Sequence, residues 1–444
     1  MIFSILICFS ALAWLVWMLR QDRISLGLPI AYLFALLLIH VPGAIAHLVG
    51  REFLVDTKFT ELGIGFTAIG AMSFVAGVWL ARFSAQKTPV QRAVSHLAPN
   101  RLQFWFFCLI AGWIFTYALS PLRFITTLGA LVDKAGAVWM LGVMLGLRAA
   151  IQRGHVKWTA IWLGALAVYP VLMLLLGGFL SHGSTAIIIV LSALAISTRS
   201  HWRVAIGTVV AAVFAFHIFL SYFQNRDSIR DAVWGDASME ERLDRSANMV
   251  RDFGLFDPAN EGQLNSLDLR LNQNYFAGLA ASRIEEGQVD FLYGRSLWEG
   301  LTALVPRAFW PDKPVMAGSA KIVSEMTGLM LSDTTSWGVG NVMEFYINFG
   351  IPSLVAGFVL LGWLLGLLDR KAAIAEGSGE LGQVFVFFLP AVALIQPNGS
   401  IVELVGGSVA ALGGAYGWKW AWKQWMESRA RPVLMPRADA RRRR

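Results

Sequence analysis

The sequence predicts an all-α polytopic integral membrane protein of about eleven transmembrane helices carrying one large helical insert outside the cytoplasm. Three observations predict it. Hydrophobic residues make up 56% of the 444 residues and charged residues only 15%, against roughly 25% charged in soluble proteins, so too little polar surface exists to coat a globule of this size. Apolar runs of membrane-spanning length recur along the chain. The acidic residues, by contrast, crowd into one stretch.

Crossing a bilayer takes roughly 17–25 mainly apolar residues per helix, because lipid cannot satisfy the backbone and the helix must bond to itself. Segments near 2–19, 26–49, 62–81, 102–120, 134–151, 158–180, 184–198, 204–222, 345–368, 381–396 and 403–422 meet or approach that length, the seventh and tenth being short. In the first, Ala11-Leu12-Ala13 looks like a signal-peptidase site. The apolar run nevertheless continues through Trp14 to Leu19 and no positive charge precedes it, which reads as a retained span. The chain thus divides into spans one to eight (1–222), the insert (223–344), spans nine to eleven (345–422) and a basic tail (423–444).

Orientation follows from Lys and Arg beside the spans, which collect on the cytoplasmic side. Connections after odd-numbered spans, with the tail, hold 21 of them, whereas the short connections after even-numbered spans hold Arg51, Lys58, Arg123 and Lys134. This bias puts the amino terminus outside and the carboxyl terminus in the cytoplasm. The formal charge of +8 is then a matter of topology, and Arg441–Arg444 is a lipid-side anchor. Neither calls for nucleic acid. Cys8 and Cys108 each lie in an apolar run and form no redox pair, disulfide framework or zinc spacing.

Residues 223–344 contain 11 Lys+Arg and 18 Asp+Glu. Ser238 and Glu241 fit a capping box and Glu241 with Arg245 an i,i+4 pair, predicting a helix over about 238–252. A second helix is expected from about Ser266 to Ile284, where Leu269, Phe276, Ala280 and Ile284 form a loose stripe. On it Arg270 pairs with Gln273, and Asn272 shares a face with Arg283. A third, Ser296 to Phe309, has Leu297, Leu301, Leu304 and Val305 on one side with Trp298 and Trp310 near its ends, and reads as a helix lying in the membrane interface. It runs into Pro306-Arg307-Ala308-Phe309-Trp310-Pro311-Asp312-Lys313-Pro314, where three prolines stiffen a charged turn. Glu344 enters the membrane with the ninth span, where an ionisable group is costly and functional by default.

The order of these segments is the basis of a resemblance. Arg270-Leu271-Asn272-Gln273, then Pro306-Arg307 with Trp310-Pro311-Asp312-Lys313-Pro314, then Thr335-Ser336 and Glu344-Phe345-Tyr346-Ile347-Asn348-Phe349-Gly350 resembles bacterial Wzy-type oligosaccharide repeat-unit polymerases. That group is related in plan to the enterobacterial common antigen polymerase and to O-antigen ligases. The resemblance implies a GT-C-like, inner-membrane glycosyltransferase that joins repeat units carried on undecaprenyl pyrophosphate into O-antigen or exopolysaccharide at the periplasmic face. A flippase and a chain-length regulator are its implied partners. The chain departs from the pattern in carrying His182 after Gly177-Gly178, where relatives carry Arg, and Gln396-Pro397-Asn398-Gly399-Ser400 in the last outside connection.

Such a reaction needs cations where the pyrophosphate gathers charge, a role for Arg307, Arg270, Arg283 and Lys313, since guanidinium forks bind phosphate oxygens in pairs. It needs a base for the acceptor hydroxyl, for which Glu344, Asp312 and His182 are candidates. Asn272, Gln273 and Asn348 would orient sugar hydroxyls, and Trp310 or Trp298 would stack on a sugar face. No His-Glu-x-x-His or Asp-rich pair occurs, so transfer without metal or cofactor is expected. Simpler readings stand beside these: loop salt bridges for Arg307 and Asp312, snorkelling for Arg270 and Arg283, helix packing for the amides and for His40, His47 and His217. Ligation of a finished glycan to a different acceptor is the alternative activity. A polysaccharide or lipid transporter fits less well, because it predicts internal repeats and charges at mid-bilayer.

Overall fold

The computed structural model describes residues 1–49, 55–84, 99–119, 126–177, 181–198, 201–235, 237–251, 257, 260–305, 310, 319–331 and 338–430. These residues form eighteen α-helices and one short 3-10 turn, and no strand occurs among them. The amino-terminal half contains α1 (Ile2–Asp22), α2 (Leu28–Ala46), α3 (Thr57–Ser84), α4 (Pro99–Ala118), α5 (Thr126–Gly136) and α6 (Val138–Gln152). It continues with α7 (Val156–Gly177), α8 (Ser181–Ser197) and α9 (His201–Trp234). The insert supplies α10 (Met239–Arg251), α11 (Glu261–Arg270), α12 (Asn274–Glu285), α13 (Arg295–Ala303), α14 (Ser319–Thr327) and α15 (Asn341–Phe349). The chain then returns through α16 (Ile351–Ser378), α17 (Leu381–Ala393) and α18 (Ile401–Ala430).

Among the described residues, seven helices are long and apolar enough to cross a membrane: Ile2–Asp22, Leu28–Ala46, Thr57–Ser84, Arg101–Ala118, Leu131–Gln152, Ile351–Ser378 and Ile401–Arg429. The helices α7, α8, α9 and α17 coincide with the other four expected runs.

Ion pairs tie the helix ends of one face together. Asp22 at the end of α1 receives Arg82 of α3 at 2.6 Å and Arg370 of α16 at 3.3 Å. Arg101 at the start of α4 reaches Glu376 at 3.2 Å. Arg20 donates to the carbonyl of Thr198 beyond α8 at 2.8 Å. These are the ends flanked by the Lys/Arg-rich connections. Nearby, the buried Asp369 accepts from the backbone N–H groups of Leu26 and Leu28 at 3.0 and 3.2 Å, meeting donors that the first turn of α2 leaves unpaired.

The insert packs on the opposite face, where α1 and α3 begin and α2 ends. There the terminal ammonium of Met1 pairs with Glu61 at 2.8 Å. The helix expected over 238–252 is α10, with the hydroxyl of Ser238 accepting from the N–H of Glu241 at 3.2 Å and Arg245 donating to Glu241 at 2.6 Å.

Two expected elements are corrected. The single helix from Ser266 to Ile284 is instead α11 and α12, broken at Leu271-Asn272-Gln273, so Asn272 shares no helix face with Arg283 and the Arg270–Gln273 pairing on one helix is lost. The ninth span does not begin at 345: α15 is a separate nine-residue helix, ended by Gly350 at φ 72°, before α16 starts the crossing. Arg307, Asp312 and Lys313, with Thr335 and Ser336, lie outside the described residues.

Candidate functional site

The break at Leu271–Gln273 has a physical cause in α2. Pro42 lacks an N–H and disturbs the helix around it, and the neighbouring ladder is opened. The N–H of Gly43 donates to the carbonyl of Leu271 at 3.0 Å, and the carbonyl of Ile39 accepts from the N–H of Gln273 at 3.0 Å. Insert backbone thus fills the gap in α2, as buried backbone groups require.

Side chains extend this joint into a polar clamp. His47 contacts Asp268 through Nε2 at 2.8 Å and Thr57 through Nδ1 at 2.9 Å. Asn272 donates to Asp268 at 2.7 Å and to Thr60 at 2.9 Å. Asn274 donates to the carbonyl of His40 at 2.6 Å, while its Oδ1 lies 2.8 Å from His40 Nδ1 and accepts from Thr67 at 3.0 Å. Backbones approach closely here because glycines allow it. A Cβ on Gly63 would stand 2.0 Å from the carbonyl oxygen of Asn274, and one on Gly278 would stand 1.9 Å from that of Phe59. Asn272 is therefore committed to holding α11 and α12 on the bundle, and its expected role toward sugar hydroxyls is withdrawn. His40 and His47, read as packing residues, are members of the same clamp.

Beyond the clamp the chain turns inward. Asn341, at the start of α15, accepts from the hydroxyl of Tyr32 in α2 at 2.7 Å and donates to the carbonyl of Gly399 at 3.0 Å. Its own N–H donates to the carbonyl of Pro397 at 2.9 Å. The connection 396–400 is thereby stapled to α15, and Gln273 Oε1 faces Gly340 across the same gap without a partner among the described residues.

One turn up α15 sits Glu344, which is fully buried. Its Oε2 accepts from the N–H of Ile401, the first residue of α18, at 2.7 Å, whereas Oε1 has no partner among the described residues. Burial pushes this carboxyl up to about 8, the N–H of Ile401 and the Ser296 hydroxyl oppose the rise, and the carboxylates of Glu403 and Glu299 add to it. Above lies α13, whose Gly300 fits so tightly over Ile401 that a Cβ there would come within 2.7 Å of that side chain. On its other side α13, which spans Arg295–Ala303 where a helix was expected over Ser296 to Phe309, exposes Trp298 and Leu301. Asn348 donates to Ser296 at 2.8 Å and to the carbonyl of Glu344 at 2.7 Å, and accepts from the N–H of Gly294. It fastens α13 to α15, so its expected sugar-binding role is also withdrawn.

The remaining site candidates are dispersed. Arg270 lies with its guanidinium 5.1 Å from the Phe223 ring centroid. Arg283, near the far end of α12, donates to Gln288 at 3.0 Å and packs beneath Gly328. The two arginines thus have different anchors and do not form one cation cluster. Trp310 is exposed outside any helix, and His182 falls in the first turn of α8. Sequence reading passed over Ser296 and Ile401, which contact Glu344; an ordinary serine and a backbone N–H carry no sequence signal. Glu403 lies in the first turn of α18. It lies within reach of Ser319, at 3.4 Å, and of the N–H of Ser400, at 3.3 Å. Among the described residues no group of His, Cys, Asp and Glu is placed to hold a metal ion.

Residues 59–395 match the model of the family described as a domain of unknown function, DUF8712, and the chain belongs to that family. No curated protein matches it, and no solved structure does.

Proposed function

We propose that this protein is a glycosyltransferase that polymerises oligosaccharide repeat units carried on undecaprenyl pyrophosphate, at the outer face of a bacterial inner membrane, with the insert in the periplasm. The observation that carries the reading is Glu344: a buried carboxyl under an insert helix, with one oxygen unpartnered among the described residues and its pKa raised by burial to about 8. A group titrating near the working pH is suited to proton transfer. The motif order described above and the concentration of polar residues at the insert-to-bundle joint support the same assignment.

In the proposed reaction the acceptor hydroxyl approaches Oε1 as α13 lifts. The new sugar–oxygen bond forms, the bond from sugar to pyrophosphate oxygen breaks, the ionised form of Glu344, the minor form below about pH 8, takes the hydroxyl proton, and undecaprenyl pyrophosphate leaves with the electron pair. Arg307 is the first choice for meeting that charge, because a guanidinium binds phosphate oxygens in pairs and a preorganised charge stabiliser is commonly worth about 10²–10³ in rate.

Purified protein incubated with a defined undecaprenyl-pyrophosphate-linked repeat unit tests this. A ladder of products that collapses in Glu344→Gln and Arg307→Ala, with both variants still folded, is the expected result. One shifted band that needs a second acceptor would make the protein a ligase. Unchanged substrate moved across a bilayer would make it a transporter.

A further inference from the structure

A cavity of about 1490 Å³ opens on the side of the bundle, far from the insert, between α1 and α8. Phe9, Val16, Trp17, Phe34 and Leu191 line its apolar length, and Arg20, Arg23 and Arg148 lie at one end. Those arginines sit on the face that carries the Asp22 ion pairs, yet they are treated differently. Arg82 and Arg370 share the carboxylate of Asp22, and Arg101 pairs with Glu376. For Arg20, Arg23 and Arg148 no acidic partner occurs among the described residues; Arg20 instead donates to a backbone carbonyl.

The local backbone adds a second, independent sign. Arg23 closes α1 in the left-handed conformation, with φ 54°, which an ordinary side chain adopts at a cost. A glycine would relieve that cost, yet the position holds a cation exposed at the cavity's end. The space also exceeds the roughly 300–1,000 Å³ of ordinary small-molecule pockets, and most of its named wall is hydrocarbon or aromatic.

We infer that this cavity binds one anionic glycerophospholipid from the leaflet on the arginine-rich face, its acyl chains along α1 and α8 and its phosphate among Arg20, Arg23 and Arg148. Charge complementarity selects this occupant: an apolar shaft ending in three cations matches an acyl chain ending in an anion, and a guanidinium binds phosphate oxygens in pairs. The open side gives entry from the bilayer without passage through water. This assignment is independent of any catalytic role for the insert.

Native mass spectrometry of the full-length purified protein, titrated with phosphatidylglycerol or phosphatidylcholine of the same acyl chains, tests it. The expected result is preferential retention of phosphatidylglycerol, lowered roughly thirtyfold in the double variant Arg23→Gln/Arg148→Gln, the usual contribution of an arginine to anionic-lipid attraction counted for both residues. Arg153→Gln, on the same face but outside the cavity, should leave retention unchanged. Equal retention of the two lipids in the wild-type protein would overturn the inference whether or not the double variant folds. So would an equal loss in Arg153→Gln, or displacement of the lipid by equimolar glycerol phosphate, which would mean that only a headgroup is bound.

Discussion

Two carboxyl groups are buried where the insert meets the bundle, and their neighbours have opposite character. Asp268 faces the His47 imidazole at 2.8 Å and accepts from Asn272 at 2.7 Å. Glu344 is met by neutral groups, the N–H of Ile401 and the Ser296 hydroxyl, and the charges acting on it are the carboxylates of Glu403 and Glu299. A buried charge opposite a partner fastens two elements together. A buried acid among other acids holds its proton instead, which suits chemistry better than fastening. The difference separates a structural joint from a candidate reactive one using the same residue type.

Four substitutions sharpen that contrast. The largest effect is expected at Glu344, as a pH dependence. With a folded pKa of about 8 above the ordinary 4.5, the folded protein binds this proton more tightly than the unfolded chain does. Its contribution is complete below about pH 4.5, shrinks as pH rises and is lost by passage through 8, a span worth roughly 5 kcal/mol at most. Melting of detergent-solubilised protein between pH 5 and 9 should therefore show stability falling with pH in the wild type and a flatter profile in Glu344→Gln. Asp268→Ala leaves the buried His47 and Asn272 groups without their acceptor and should cost about 1–3 kcal/mol for each, read as a lower melting temperature at pH 7. If Asp268→Ala melts like the wild type, the clamp is not what holds the insert.

Smaller effects follow from packing and from the opposite face. Gly63→Ala would press a methyl group to 2.0 Å from the Asn274 carbonyl, and should cost about 1–3 kcal/mol as over-packing does, with limited proteolysis of the insert as the sensitive readout. Asp22→Asn weakens two part-exposed ion pairs and should shift melting by no more than about 1 kcal/mol, an effect that shrinks further in salt.

Much of the helical plan was legible because apolar runs and capping residues are local signals. Ser238 with Glu241 located α10, and the runs ending at Arg20 and Arg82 located the ends of α1 and α3, which do meet on one face. The breaks were not legible in the same way. Leu271–Gln273 continues a helical pattern, and it opens only because Pro42, more than two hundred residues earlier, leaves backbone groups in α2 that it can satisfy. Gly350 looked like one more glycine in an apolar stretch, yet its positive φ divides α15 from α16. Asn272 and Asn348 were read as sugar ligands on residue type, but the partners that occupy them, Thr60, Asp268 and Ser296, come from distant segments. Glu344 stood out in the sequence as a charge at the edge of an apolar run, while the acids around it became evident only from packing.

The account depends most on which side of the membrane the insert occupies. Single cysteines in a background lacking Cys8 and Cys108, one at the exposed Asp290 of the insert and one at the exposed Lys157 in the first turn of α7, can be offered a membrane-impermeant maleimide in intact cells with a permeabilised outer envelope. Labelling of Asp290→Cys at once, and of Lys157→Cys only after the inner membrane is broken, is the predicted result. The reverse order would place the insert in the cytosol and contradict the proposed reaction.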